Sequence, residues 1–411
     1  MRRKIATWIL FAVALAALPG AAAAASCSEM VVGSILSLTG RHSTAGILTR
    51  NGYEFAIRQL KEAGGIRVGD RCYDLRVIYH DDESMPERGV QVAERLIERG
   101  RVQFLLGPNS AAVADAVSDI TEAARIPMLS AQGMPRTLFA RERKYLFGLV
   151  TVTEHHLAAV LELAAKVAVS TGRPKASVKI ALVSSDDPYV SELRAGLLRN
   201  AIVHSMSVVV DERLAPDLTN MPTILSKVRL NQADIVIVTG DGRISAAAAR
   251  QIEELQVHTP IVAMTDCEAA GIPSRSEAAT ANILCAARAP QRVGAGAGAP
   301  VSDYPAFEKA YRAQTKMNIS QPVPDAAAQA AIAVAVFADA LRRAGARDSE
   351  KIRDALAATD MSTFYGRIRF SDSGNVVAAP VIWRQIQSGR FKVVAPADKA
   401  THNFQWPRRG L

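Results

Sequence analysis

Val102-Gln-Phe-Leu-Leu106, Gly107-Pro-Asn-Ser110, Ala111-Ala-Val-Ala-Asp-Ala-Val-Ser-Asp-Ile-Thr-Glu-Ala-Ala124 and Arg125-Ile-Pro-Met-Leu-Ser130 follow one another without interruption, and this stretch decides the fold. Val102 to Leu106 is a short apolar run, the pattern of a buried strand, closed by Gly107-Pro108. Ser110 to Ala124 reads as a helix, and Pro127 to Ser130 as the next strand. A strand, a helix and a strand joined by short loops form the unit of a parallel sheet with helices on its faces.

The same alternation extends in both directions. Upstream, Met30 to Leu36 is an apolar strand, and Arg50 to Ala63 has helical period, with Tyr53, Phe55, Ala56, Ile57 and Leu60 on one broad face before Gly64-Gly65 ends it. Tyr73 to Tyr79 alternates as a strand and Glu87 to Glu98 is a helix. Downstream, strands are expected at Lys179–Val183, Met206–Val210, Asp234–Val238 and Pro260–Met264. Helices are expected at His155–Val169, Val190–Asn200, Met221–Leu230 and Ile244–Leu255. The chain is therefore α/β, with two doubly wound units in series. Gly294 to Pro300 reads as a loop, and helices follow near 303–315, 325–345 and 349–358. Arg367–Phe370 and Ala379–Gln387 are expected to close as a hairpin that turns at Ser373-Gly374.

Residues 1–25 read as a secretory signal peptide: Arg2, Arg3 and Lys4, an apolar run from Ile5 to Leu18, then small residues up to Ala25. The run is shorter than the ~20 residues of a membrane span. A lipid-modified Cys27 is a weaker alternative, since the leucine usual three residues before such a cysteine is missing. The later apolar stretch Ala326 to Ala340 carries Gln329 and Asp339 and reads as a buried helix. An exported, periplasmic chain of about 385 residues is expected, enough for two or three domains at ~100–200 residues each. The formal charge of +9 falls to about +6 without the signal residues. Its basic residues are scattered rather than interleaved with aromatics, which argues against nucleic-acid binding.

Cys27, Cys72, Cys267 and Cys285 are the four cysteines, and an even number in an oxidising compartment points to disulfides. Spacing alone leaves three pairings open. Cys27 and Cys72 each precede a strand and would meet at one edge of a parallel sheet. Cys267 and Cys285 would close a short loop in the second unit. Free buried thiols are the alternative.

No Gly-x-Ser-x-Gly, His-Glu-x-x-His or Gly-x-x-x-x-Gly-Lys-Ser/Thr pattern is present, so neither a hydrolase nor a nucleotide site is indicated. No cofactor and no metal are expected. His155-His156, adjacent on a helix, point apart, and Asp81-Asp82-Glu83 reads as a solvated loop capping the next helix.

Gly33-Ser-Ile-Leu-Ser-Leu-Thr-Gly40, Gly46, Asn51-Gly52, Ala63-Gly-Gly-Ile66, Tyr79-His-Asp-Asp-Glu-Ser84, Phe104-Leu-Leu-Gly-Pro-Asn-Ser110, Ile126-Pro-Met-Leu-Ser130, Asp187-Pro-Tyr189, Ala233 to Gly240 and Gly366-Arg-Ile-Arg-Phe370 recur in this order. Together they resemble the leucine/isoleucine/valine-binding protein family over nearly the whole mature chain. The resemblance implies the type I periplasmic-binding fold: two Rossmann-like lobes joined by three crossovers, with the ligand in the cleft between them. It places 28–149 and 288–365 in lobe one, and 150–287 and 366–411 in lobe two. It also implies a monomeric solute-binding protein, not an enzyme. Such a protein closes on an amino acid or a related carboxylate, aromatic ones included, and delivers it to an ABC permease. A sensor that reports an amide or organic acid to a signalling partner is the alternative, and a secreted enzyme using Asp241 and Asp266 is a third.

Ligands of open α/β sheets bind beyond the carboxyl ends of the strands. That rule selects the loop with His42 and Ala45, the Ser110/Ala111 helix start, and Gln132, Gly133 and Met134. In the second unit it selects Thr153, Tyr189, Asp241 and Asp266. Ser110 and the free N–H groups of its helix suit a carboxylate, though a plain N-cap is the common role of such a serine. The family holds its ligand carboxylate at the positions of Ser110/Ala111 and Gln132 to Met134. The chain departs from it at Ala111, where many members have serine, and at Met134, where a hydroxyl is usual. Ala45 replaces a bulky aromatic and implies a roomier pocket. Asp241 or Asp266 would meet an ammonium group, which needs a carboxylate in a dry cleft. A turn or helix-cap role is the alternative for each.

Overall fold

A computed structural model of the protein describes residues 27–151, 157–215, 219–268, 270–272, 280–288, 303–318, 321–376 and 381–407. The first sheet is built from β1 (Ser28–Leu36), β2 (Ile66–Val68), β3 (Arg71–Asp81), β4 (Leu105–Leu106), β5 (Met128–Met134) and β6 (Leu146–Thr151), in the order β2-β3-β1-β4-β5-β6. All pair in parallel except β2, which returns antiparallel against β3. The second sheet begins with five parallel strands, β7 (Lys179–Ser185), β8 (Ser207–Leu214), β9 (Ile235–Thr239), β10 (Ile261–Met264) and β11 (Leu284–Arg288). A two-stranded ribbon of β12 (Asp360–Thr363) and β13 (Gly366–Arg369) intervenes. Then β14 (Val381–Gln387) and β15 (Arg390–Ala395) complete the sheet antiparallel, in the order β15-β14-β11-β10-β9-β7-β8.

Helices on both faces explain why the central strands read as unbroken apolar runs: every residue of β9 and β10 is buried. The Ala-rich helix Asp325–Ala344 lies under the first sheet, with Phe337 stacked on Phe104 at 3.8 Å between ring centroids. Its small side chains let the helix Ser43–Glu62 approach closely. A Cβ at Gly52 would lie 2.1 Å from the Ala327 carbonyl oxygen. The chain crosses between sheets three times: after β6, after β11 and between Val376 and Val381. Both expected disulfides are present, Cys27–Cys72 at the edge of the first sheet and Cys267–Cys285 in the second.

Several elements differ from the sequence reading, among them β2, β6, β12 and β15, which it did not anticipate. The expected 367–370/379–387 hairpin does not form. β13 pairs with β12, and β14 pairs with β11 and β15. The turn at Ser373-Gly374 forms, with the Gly374 N–H donating to the Ser371 carbonyl at 2.9 Å and a bridge between Phe370 and Val376, but it does not pair the two expected runs. Ile368, Phe370 and Val376 pack in the core of the first sheet, Phe370 against Phe147 at 5.1 Å. The final return to the second sheet therefore comes after 376 rather than at 366. β6 was not anticipated, and the strand expected at 102–106 shrinks to two residues. Gly294 to Pro300 and His155-His156 lie outside the described residues.

Candidate functional site

In each sheet one strand has neighbours that leave in opposite directions. β1 lies between β3 and β4, and β7 between β8 and β9. Loops diverge at such switch points and leave a crevice at the carboxyl ends of the strands. The crevices of the two sheets face one another across a cleft of about 250 Å³.

On the first side, the loop after β1 carries Arg41, His42 and Ala45 into the cleft, and the turn after β4 carries Asn109, Ser110 and Ala111. Backbone and acidic groups hold these loops in place. Asn109 accepts from the Ser37 N–H at 2.8 Å and donates to the His42 carbonyl at 3.4 Å. Asp81 accepts from the N–H groups of Leu38, Thr39 and Glu83. Asp82 accepts from the Ser37 hydroxyl at 2.6 Å and the Ser84 N–H at 2.8 Å. The Ser84 hydroxyl accepts from the His42 N–H at 3.1 Å. Asp82, which is buried, and Asp81, which is half-buried, thus brace the cleft loop rather than cap the next helix as expected from sequence, and that helix is capped at Met85 without a side-chain bond. Burial pushes the Asp82 carboxyl up to about 6, against the Ser37 and Ser84 hydrogen bonds, and its second oxygen is sealed without a partner.

Ser110 stands at the N-terminus of the helix Ala111–Ala124 but makes no side-chain cap. It is 3% exposed, and its hydroxyl has no partner among the described residues. His42 Nε2 is likewise buried and unpartnered. Burial, with Arg41 beside it, lowers the His42 pKa against the pull of Asp187 and Asp241, so the ring is neutral near pH 7. A helix N-terminus with partnerless donors around it is an environment for an anion.

On the second side, Asp187, Tyr189, Gly240, Asp241, Arg243, Thr265 and Asp266 line the cleft. Asp187 caps its helix by accepting from the Tyr189 N–H at 2.9 Å. Burial pushes the Tyr189 hydroxyl up to about 12, so it stays a neutral phenol. Asp241 is committed: it accepts from the N–H groups of Arg243 and Ile244 and pairs with the Arg243 guanidinium at 3.1 Å. Asp241 thus serves as a helix cap while lining the cleft, and Asp266 lines the cleft as well.

Gln132 lines the cleft and donates to the Ala326 carbonyl at 3.3 Å. Met134 does not line it. Met134 is fully buried in the core with Val113 and Phe139, because β5 runs on to 134 with a register irregularity between Ser130 and Gly133. Thr153 lies outside the described residues.

Of the floor of the cleft, sequence reasoning reached only Glu268, in the loop Thr265 to Glu268 after a strand, and missed the rest. Glu268 accepts from Arg384 on β14 and, at 2.6 Å, from the N–H of Asp325 at the start of its helix. Asp325 accepts in turn from the Tyr365 hydroxyl at 2.9 Å and from the backbone N–H of Arg288 at 3.1 Å. Burial opposes the charge on Arg384, but Glu268 and Asp325 outweigh it and raise its pKa. Arg288, Glu268 and Asp325 all line the cleft. The available signal was a lone arginine ending the apolar run Leu284-Cys-Ala-Ala-Arg288, at the carboxyl end of a strand.

Among the described residues no group of three or more His, Cys, Asp or Glu could hold a metal ion, and no helix is long and apolar enough to cross a membrane.

Comparison with known proteins agrees with this architecture. The Leu/Ile/Val-binding protein BraC3 of Rhizobium johnstonii is 22% identical over 380 residues, which is 89% of this chain and 93% of that protein. The branched-chain amino acid transporter substrate-binding protein LivJ from Streptococcus pneumoniae, solved with isoleucine, superposes with a TM-score of 0.74 at 20% identity, over 90% of this chain and 100% of that one. An R. palustris ABC-transporter solute-binding protein, solved with benzoate, superposes at 0.73 with 18% identity, over 92% and 98%. The sequence profile of the periplasmic binding proteins matches residues 29–390, and with its two facing sheets and the cleft between them the chain belongs to that family.

Proposed function

We propose that this chain captures a small organic carboxylate in the interlobe cleft, closes on it, and presents it to the membrane permease of an ABC importer, releasing it chemically unchanged. The observation that carries this reading is the Ser110 hydroxyl, buried and partnerless at a helix N-terminus that opens into the cleft. Leaving such a group unsatisfied is unfavourable, and a carboxylate oxygen satisfies it. Two relatives of the same fold carry isoleucine and benzoate, both carboxylates. Capture is placed in the periplasm, after removal of residues 1–25. Asp266, which lines the cleft after a strand of the second sheet, is the acid proposed to meet any ammonium group the solute bears.

Calorimetric titration of the mature protein with isoleucine, benzoate and related acids tests this. Saturable one-to-one binding is expected, weakened about tenfold by Ser110→Ala for every acid, in line with ~1.5 kcal/mol for a hydrogen bond to a charged group. Asp266→Asn should weaken amino acids and leave benzoate unchanged. Absence of binding across the series, or equal affinity in Ser110→Ala, would overturn the reading.

A further inference from the structure

Arg288 ends β11 at the floor of the cleft, on the sheet opposite Ser110. It is 7% exposed. Among the described residues its guanidinium makes no hydrogen bond and no ion pair, and only its backbone N–H reaches an acid, Asp325. The acid nearest in its field is Asp325, and both oxygens of that carboxylate are already engaged, one by the Tyr365 hydroxyl and the other by the Arg288 backbone. The other acids around it are also committed: Glu268 to Arg384 and the Asp325 N–H, Asp241 to its helix and Arg243. Arginine remains charged in proteins, and a buried cation without a partner is costly. Every other buried arginine in the described structure has an acid beside it: Arg143 meets Asp115 and Asp119, and Arg384 meets Glu268. Arg288 is the exception, and it faces the cleft.

We propose that Arg288 is a second anion-binding point of the cleft, so that the solute carries two separated acidic groups, one held at Ser110 and the other by the Arg288 fork. The proposal rests on the cleft being the solute site. Planar guanidinium suits a second carboxylate in bidentate geometry. The two points lie on opposite sheets, so a diacid would bridge the lobes, whereas a monoacid would leave one of them empty.

The test is calorimetric titration with two matched pairs, benzoate against benzene-1,4-dicarboxylate and leucine against glutamate. In the wild type the diacid of at least one pair is expected to bind about tenfold or more tighter than its monoacid. Arg288→Gln should abolish that preference, lowering diacid affinity about tenfold more than monoacid affinity, and Arg288→Lys should restore part of it. The unliganded melting temperature supplies a readout that a merely structural arginine would not give. Removal of an uncompensated buried charge should leave Arg288→Gln as stable as the wild type or more so. Monoacids binding as tightly as diacids in both pairs, an unchanged preference in Arg288→Gln, or a lower unliganded melting temperature would each overturn the proposal. Uniform loss of monoacid and diacid affinity in Ser110→Ala, with no diacid preference in the wild type, would overturn it and leave the solute-binding reading standing. Binding of none of the four would overturn both.

Discussion

At the scale of single residues, the cleft is assembled from polar groups held in place by other polar groups, and Asp82 shows the consequence most clearly. Its ordinary carboxyl value of 3.8 is pushed up to about 6 by burial. The folded chain then holds this proton more tightly than the unfolded chain. The stabilising contribution is complete below about pH 4 and is lost as pH rises through about 6, by up to about 3 kcal/mol for a shift of this size. Asp82→Asn keeps an acceptor for Ser37 and Ser84 but cannot titrate. The difference in melting temperature between the variant and the wild type should therefore grow in the variant's favour from pH 4 to pH 7, and parallel curves would refute this. Ser110 and His42 were legible in the sequence because they follow apolar strands directly. Arg288 and Asp325 were not, because what marks them is their partners, and those lie far apart along the chain. Met134 was misplaced by a register irregularity in β5 that no local pattern announces.

At the scale of elements, periodicity located most helices and central strands, since burial on both faces leaves an unbroken apolar signature. It failed where pairing is long-range. The runs at 367–370 and 379–387 look like one hairpin, yet the first belongs with β12 and the second with the other sheet. β6 was hidden by Gly148 in its middle, where a Cβ would lie 2.5 Å from the Phe139 ring and where the backbone bridges Asn375. Close helix packing is the other device that the sequence shows only as small residues. At Gly52 a methyl group would collide with the Ala327 backbone. Gly52→Ala is expected to destabilise the chain by about 1–3 kcal/mol in urea unfolding, the usual range for overpacking, despite alanine's better helix propensity. A neutral or stabilising effect would show that the two helices are free to separate.

At the scale of the whole molecule, three crossings join two sheets whose switch points face each other, and the floor between them is tied by Glu268, Arg384, Asp325 and Tyr365. The network spans the loop after β10, β14 and the helix packed under the first sheet, so it links both lobes. The proposed anion-binding groups sit on opposite walls, Ser110 on one and Arg288 on the other. Ligand binding in this arrangement must involve both walls at once. Amide hydrogen exchange, with and without a saturating acid identified by titration, examines that requirement directly. Protection is expected to rise together in 107–113, 185–190, 240–244 and 284–288. Protection confined to the loops of one sheet, or absent from all four segments while the acid is bound, would contradict a cleft that closes around its solute.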